Sequence, residues 1–395
     1  MTINSTKYNN SDGIIELRKL RTKYFRLRDF AKSCRYAIEL YSCFKKKSCI
    51  LDLQDRFDIV ISAAYAGNVN FLKHLKNDFN FNSQLPGFQD YINGFIGYSH
   101  KSKDWMCSFY TCAQTYMKYF YDNIQMTPEY VEHSSNFFPP ESYNFLLDSV
   151  KFTDSKPDKK PTNQNVILIS CDIKLFLIFS DFFSRQLRLN NKNLIYFIVI
   201  INDSATIPHI ISFSETLKKN YKNIEVDFST THYNMALMSS LYRFLKCEEI
   251  MVKYNCNCIL MDIDMNVDFD ISQYTNNIKN NLAFTRIDNA IVPWVRFNAG
   301  LSYFRNSRES INFLRIYSAY INYALNNGGK WTLDQAGLLV TKEYYQEKFG
   351  FLKVDDSGFM MSYKMSSRIP DNLKKLKGRA KLENLKRLNL RNFSF

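Results

Sequence analysis

A layered α/β domain preceded by an all-α domain of helical hairpins is the fold class the sequence predicts, on three observations. Beyond residue 155, apolar runs of strand length alternate with helix-length segments, the pattern of a sheet covered by helices. Before residue 127, apolar residues recur near helical spacing, with Arg and Lys between them and turn residues punctuating the run. In between, Pro128, Pro139, Pro140 and Pro157, with the run KPDKKP, change the texture to loop and place a domain boundary near 155. The expected organisation is a disordered N-terminus (1–13), a helical domain (14–155), an α/β domain (156–363) and a basic tail (364–395).

The chain has 395 residues, enough for two domains, and at 46% hydrophobic and 16% aromatic it can bury a substantial core. Nine cysteines without paired spacing argue for reduced thiols and a cytoplasmic setting. Cys256 and Cys258 form a C-x-C with no second pair at zinc spacing, so a structural zinc site is not expected. The opening MTINSTKYNNSDG has no apolar core, so a secretory signal is not expected either. No window reaches the roughly 18 unbroken apolar residues of a spanning helix. A net charge of +14 favours acidic partners: nucleotide, nucleic acid or an anionic membrane.

In the first domain, residues 14–44 read as one helix, with Leu17, Leu20, Phe25, Leu27, Ala31, Cys34, Ile38 and Tyr41 near helical spacing. Residues 51–66 and 69–79 read as two helices broken at Gly67-Asn68, and 88–99 as a helix after the Pro86-Gly87 turn. Residues 105–124 and 141–151 are also helical in pattern. Such hairpins suit either a small tetratricopeptide-like solenoid or a plain bundle, since no 34-residue self-similarity decides between them.

In the second domain the expected strands are 166–170, 194–201, 224–228, 258–261 and 282–285, with helices at 173–189, 233–246 and 335–345. Ligands of open α/β sheets gather beyond the carboxyl ends of the strands. Cys171-Asp172, Asn202-Asp203 and Asp262-Ile263-Asp264 all fall at such ends. Asp262 and Asp264 stand two apart after an apolar strand, so both side chains are expected on one side. There they can hold a hard cation through oxygen while leaving positions for phosphate oxygens. Asp-x-Asp also arises by chance, and carboxylates after a strand often only cap a helix. Phe297-Asn298-Ala299-Gly300 offers small residues for close backbone approach, or simply a tight turn. Trp331-Thr332-Leu333-Asp334-Gln335 opens the helix after Gly328-Gly329, where Asp334 can equally be a cap.

Taken in order, Asp-x-Asp after a hydrophobic strand, FNAG with an apolar continuation and Asp-Gln heading a helix resemble the GT-A glycosyltransferases. Their fold is a Rossmann-like nucleotide-diphospho-sugar transferase domain. The likeness is nearest to the retaining family of glycogenin, galactinol synthase and bacterial lipopolysaccharide galactosyltransferases, and it covers residues 163–345. ISCDIKLFLIFSDFF and SSLYRFLKCEEIM are similar to the first strand and the helix before the motif in such enzymes.

The resemblance implies a metal-dependent hexosyltransferase-like enzyme that uses Mn²⁺ or Mg²⁺ and a nucleotide sugar, with UDP favoured as the nucleotide. The acceptor would be a glycan, a lipid-linked sugar or a protein. It implies that Asp262 faces the ribose and the metal and that Asp264 ligates the metal, which neutralises the departing diphosphate. Cys171 and Asp172 would lie by the base and ribose, and Arg243 would contact the donor. Asn298 and Ala299 would touch the donor sugar, Asp334 would bind sugar hydroxyls, and Gln335 would lie near the reacting carbon. A retaining enzyme would let the donor phosphate take the acceptor proton; an inverting one would need a carboxylate base, for which Asp334 is the candidate.

One departure stands out. Members close the metal site with a late His, whereas His74, His100, His133, His209 and His232 all precede Asp262, so either Asp355 or Asp356 replaces it or the metal is held by two protein ligands plus phosphate. The tail from 364 to 395 carries ten basic and two acidic residues, eight of the net +14. Leu373, Leu376, Leu382, Leu385 and Leu388 make it an amphipathic basic helix, suited to an anionic membrane surface or to packing on the domain. Two other classes remain: a catalytically inactive helical-repeat adaptor binding a protein through 14–155, and a basic nucleic-acid binder. The second is not expected, because no zinc-finger or RNA-binding signature accompanies the charge.

Overall fold

The computed structural model describes residues 11–46, 49–83, 85, 87–100, 108, 150–153, 165–187, 193–201, 207–263, 265, 270–286, 297–326 and 333–356. They fall into two compact units, one within 11–108 and one within 150–356. The expected helices at 105–124 and 141–151, the Asn202-Asp203 turn, Asp264, Trp331-Thr332 and the tail from 364 lie wholly or mainly outside the described residues.

The first unit is built of helices α1 (Ser11–Arg26), α2 (Phe30–Lys45), α3 (Leu53–Tyr65), α4 (Val69–Asn77), α5 (Phe79–Asn82) and α6 (Phe88–Ser99). The segment 14–44 is two helices, not one, and the first begins at Ser11 instead of Ile14. Arg28 turns the chain with φ of 59°, and Asp29 starts α2 by accepting from Lys32 N–H at 3.1 Å. A periodicity reading follows apolar residues and passes over this cap. The break at Gly67-Asn68 is present: Gly67 has φ of 67°, and Asn68 caps α4 through Phe71 N–H at 3.1 Å. Asp52 and Asp55 form a capping box on α3, and Asp55 also takes a two-pronged ion pair from Arg18. Consecutive helices α1, α2, α3 and α4 pack pairwise, and α4 and α3 also pack on α6.

The second unit is a mixed α/β domain on a seven-stranded sheet of order β3-β2-β1-β4-β6-β5-β7. Its strands are β1 (Asn165–Asp172), β2 (Leu194–Ile201), β3 (Ile224–Thr230), β4 (Asn257–Met261), β5 (Leu282–Arg286), β6 (Phe297–Phe304) and β7 (Val354–Asp356). All run parallel except β6, which is antiparallel to β4 and β5. Runs such as LIYFIVII are buried on both faces, as a parallel sheet between two helix layers requires.

Helices α7 (Ile173–Leu187), α8 (Ile207–Asn220) and α10 (Ile271–Asn277) share a core with Ile167, Ile169, Ile195, Phe197, Ile259 and Met261. Helix α9 (Met235–Tyr254) packs on β1, β2 and β4, and α11 (Arg308–Asn326) and α12 (Leu333–Phe349) pack beside it. Residues alternate between the faces: Ile169 and Cys171 join the α7 side, while Ser170 bonds to α9. Ile263 and Met265 extend the α7-side cluster past the end of β4.

FNAG is part of strand β6, not a tight turn, because Asn298 and Phe297 pair with Thr285 and Arg286, beyond a bulge in β6 at Ala299 to Leu301. The carboxylate of Asp355 sits on β7, three strands from β4 or about 14 Å away at ordinary strand spacing. It is committed to the loop before β5, accepting from Lys279 N–H and Asn280 N–H at 2.7 Å each. It is therefore not a replacement for the missing His.

Helices α11 and α12 meet where a side chain is absent. A Cβ on Gly337 would lie 2.7 Å from Tyr317 Cε2 and 3.0 Å from Ile321 Cδ1. Gly337→Ala is expected to lower stability by about 1–3 kcal/mol through this overpacking, despite alanine's better helix propensity; the shift of the urea midpoint measures it.

Candidate functional site

The sheet places the ends of several strands together. β1 connects outward through β2 to β3, while β4 lies on its other side, so the sequence order reverses between β1 and β4. A crevice opens at such a point, beyond the carboxyl ends of the strands. β1 and β4 pair up to Leu168 and Leu260, and continuing that register sets Ser170 level with Asp262. Because β6 is antiparallel, its first residues, Phe297 to Gly300, lie at this same end.

Asp262 is anchored by its backbone to Gly300, whose carbonyl accepts its N–H at 3.0 Å. Gly300 N–H in turn donates to Asn298 Oδ1 at 2.6 Å. A Cβ on Gly300 would stand 2.7 Å from Asp262 Oδ2 and 2.9 Å from Asn298 Oδ1. The glycine is thus required by the carboxylate leaning over it, not by an unusual backbone angle.

Arg243 is the centre of the cluster. Its side chain is only 2% exposed and forms a short ion pair through Nη1 with Asp262 Oδ1. Nη1 also donates to Met261 O at 3.3 Å, and Nη2 donates to Ala299 O at 3.2 Å. Nη2 stands 3.9 Å from Asp334 Oδ2. Burial opposes the charge, yet Asp262 and Asp334 hold the guanidinium pKa above its usual value. Nε–H is buried and meets no acceptor among the described residues.

The two carboxylates live in different surroundings. Asp262 is 42% exposed; its Oδ2 accepts no hydrogen bond from the described residues. The Asp334 side chain is 10% exposed at the start of α12, beside buried Tyr317 of α11, whose hydroxyl reaches Asp334 O at 3.4 Å. Burial pushes the Asp334 pKa up to about 6, with Arg243 pulling it down and Asp262 adding repulsion. Asp334 Oδ1 also accepts from Gln335 N–H at 2.9 Å, a bond within the first turn of the helix.

Of the residues singled out from sequence, Arg243, Asp262, Asn298, Ala299 and Asp334 come together, Ala299 through its backbone carbonyl. Cys171 is buried in the apolar cluster on the α7 side of the sheet, and burial raises its thiol pKa well above the ordinary value. Asp172 caps α7, accepting from Leu175 N–H at 2.8 Å. Gln335 is brought to the cluster by its backbone. Asp264 lies outside the described residues. Sequence reasoning passed over Ser170, Tyr317 and the Met261 carbonyl. Only Ser170 left a signal, as a hydroxyl interrupting the apolar run NVILI.

The raised pKa has a measurable consequence. Between the ordinary value of 3.8 and about 6, folded Asp334 holds a proton that the unfolded chain has released, so this group's contribution to stability falls as pH rises through that window. Relative to Asp334→Asn, the wild-type protein is expected to lose about 2 kcal/mol between pH 4 and pH 7. Urea unfolding of both proteins at the two pH values checks this; a difference independent of pH contradicts it.

The sequence matches no protein-family model and no curated protein. Among solved structures, the chain is similar to the apo structure of the bifunctional glycosyltransferase WbbM, at 13% identity and a TM-score of 0.31. The likeness covers 76% of this chain and 60% of that one, so the chain spans less than two thirds of the length of WbbM. Likeness this remote carries no functional conclusion.

Proposed function

We propose that the second unit is a glycosyltransferase of the GT-A kind, moving a sugar from a nucleoside-diphosphate donor, with UDP favoured, to a glycan, lipid-linked or protein acceptor. The observation that carries this reading is the cluster of Asp262, Arg243 and Asp334, gathered from three separate elements beside FNAG at the carboxyl ends of β1 and β4. One fixed cation between two carboxylates leaves one negative charge in excess when both are ionised, which suits a bound divalent ion.

Mn²⁺ or Mg²⁺ fits the donor set, because these are hard cations and the available ligands are carboxylate oxygens. Asp262 would supply Oδ2, since its Oδ1 is engaged by Arg243, and Asp264 would supply the second ligand. When bound, the ion neutralises charge developing on the departing diphosphate. Arg243 keeps Asp262 turned to the crevice, and the Gly300 surface lets the carboxylate and a sugar approach the backbone. Asp334, ionised above pH about 6, accepts hydrogen bonds from sugar hydroxyls and serves as base if the reaction inverts. Gln335, Cys171 and Asp172 belong to the same reading as neighbours of the reacting carbon, the base and the ribose, with retention as its favoured outcome. The helical unit (14–155) would present a protein-binding surface, and the basic tail (364–395) would hold the enzyme on the inner face of a membrane.

Addition of UDP with Mn²⁺ is expected to raise the melting temperature, about 2.7 kcal/mol of stabilisation at a hundredfold excess over Kd. Asp262→Asn, Asp264→Ala and Gly300→Ala are each expected to abolish the shift, the last by displacing the Asp262 carboxylate. A screen of nucleotide sugars for slow hydrolysis would then identify the donor. Absence of any response to nucleoside diphosphates with either metal would overturn the proposal.

A further inference from the structure

We infer that Ser170 is a positioning residue for Arg243, and that it acts by inserting its hydroxyl at the one turn of α9 that carries this arginine. Ser170 is 4% exposed, on the face of β1 that carries Val166 and Leu168, where an unpaired hydroxyl would be costly. Its Oγ donates to Ser239 O at 2.5 Å and accepts from Arg243 N–H at 3.1 Å. Ser239 and Arg243 are four residues apart, the acceptor and donor of a single helical hydrogen bond. The strand hydroxyl therefore bridges both ends of that bond.

An inserted side-chain group of this kind sets the local path of a helix. Here it ties the turn bearing Arg243 to β1, the strand beside β4 and level with Asp262 at that position. The guanidinium must reach Met261 O, Ala299 O, Asp262 and Asp334 at once, so a small rotation of its turn would lose several contacts together. The serines of α9 bond within the helix: Ser239 Oγ to Met235 O at 2.7 Å and Ser240 Oγ to Leu237 O at 2.8 Å. Besides the guanidinium's own bonds to Met261 O and Ala299 O, the side-chain hydrogen bonds that join this turn to the sheet among the described residues are those of Ser170. The geometric half of the inference stands without any activity; its consequence for ligand binding rests on the glycosyltransferase reading.

Two measurements on full-length protein test it. Amide hydrogen exchange reads the geometry: in Ser170→Ala the Arg243 amide should exchange about fivefold faster or more, the equivalent of one net hydrogen bond, with the rest of α9 unchanged. Ser170→Cys, which keeps the volume and bonds only weakly, should behave like Ala. Calorimetry with UDP and Mn²⁺ reads the consequence: Ser170→Ala should weaken binding about tenfold, a usual effect of losing a supporting group behind a ligand-binding residue. In an Arg243→Lys background it should cause no further loss. Unchanged exchange at Arg243, full recovery in Ser170→Cys, or an equal loss in both backgrounds would each overturn the role. If the wild-type protein ignores UDP and Mn²⁺, the functional reading fails, and the exchange experiment still decides whether Ser170 holds the arginine.

Discussion

A buried guanidinium must be neutralised, and the α/β unit is arranged around that requirement. Arg243 is nearly inaccessible to water, so its charge is tolerable only where carboxylates and carbonyls surround it. Its partners come from the end of β4, the start of β6 and the start of α12. These segments are far apart in the chain, and each reaches the arginine only if the sheet order and the α9–α12 packing are both as observed. The ion pairs thereby lock a region where three elements end and backbone bonding within each element has run out.

The same cation sorts its two acids into different chemical roles. Both lie near one positive charge, yet one is nearly half exposed and the other is enclosed by Tyr317 and the first turn of α12. Environment, not residue type, separates them, as in enzymes where paired carboxylates carry distinct tasks. The exposed acid can meet a ligand in solution, whereas burial lifts the pKa of the enclosed one to about 6. The single antiparallel strand is what makes the grouping possible. Reversing β6 brings its Asn298-Ala299-Gly300 start, instead of its apolar end, beside Asp262.

Much of the layout could be read in advance, for reasons specific to each element. Strand β2 announces itself because LIYFIVII is too apolar for anything but a doubly covered strand. The Gly67-Asn68 break is visible because only such residues suit a left-handed turn followed by a cap. The division between α1 and α2 is not, since Arg28 has no intrinsic preference for its φ of 59° and the apolar spacing runs on through it. FNAG looked compatible with a turn because its small residues say nothing of the cross-strand partners that make it a strand. The carboxylate of Asp355 looked available until its loop amides were placed around it.

Residue order alone settled the α/β character, five of the seven strands of the sheet and the chemistry of the groups near their ends, because apolar periodicity and turn residues act locally; the antiparallel strand β6 and the short β7 were decided by their cross-strand partners. It could not settle which of those groups share one charge. That Arg243 is buried between Asp262 and Asp334, that Cys171 turns to the opposite layer, and that a serine on β1 reaches into a turn of α9 depend on register and on the side of the sheet each residue faces. A shift of one residue in a strand would reverse every such assignment without altering the composition.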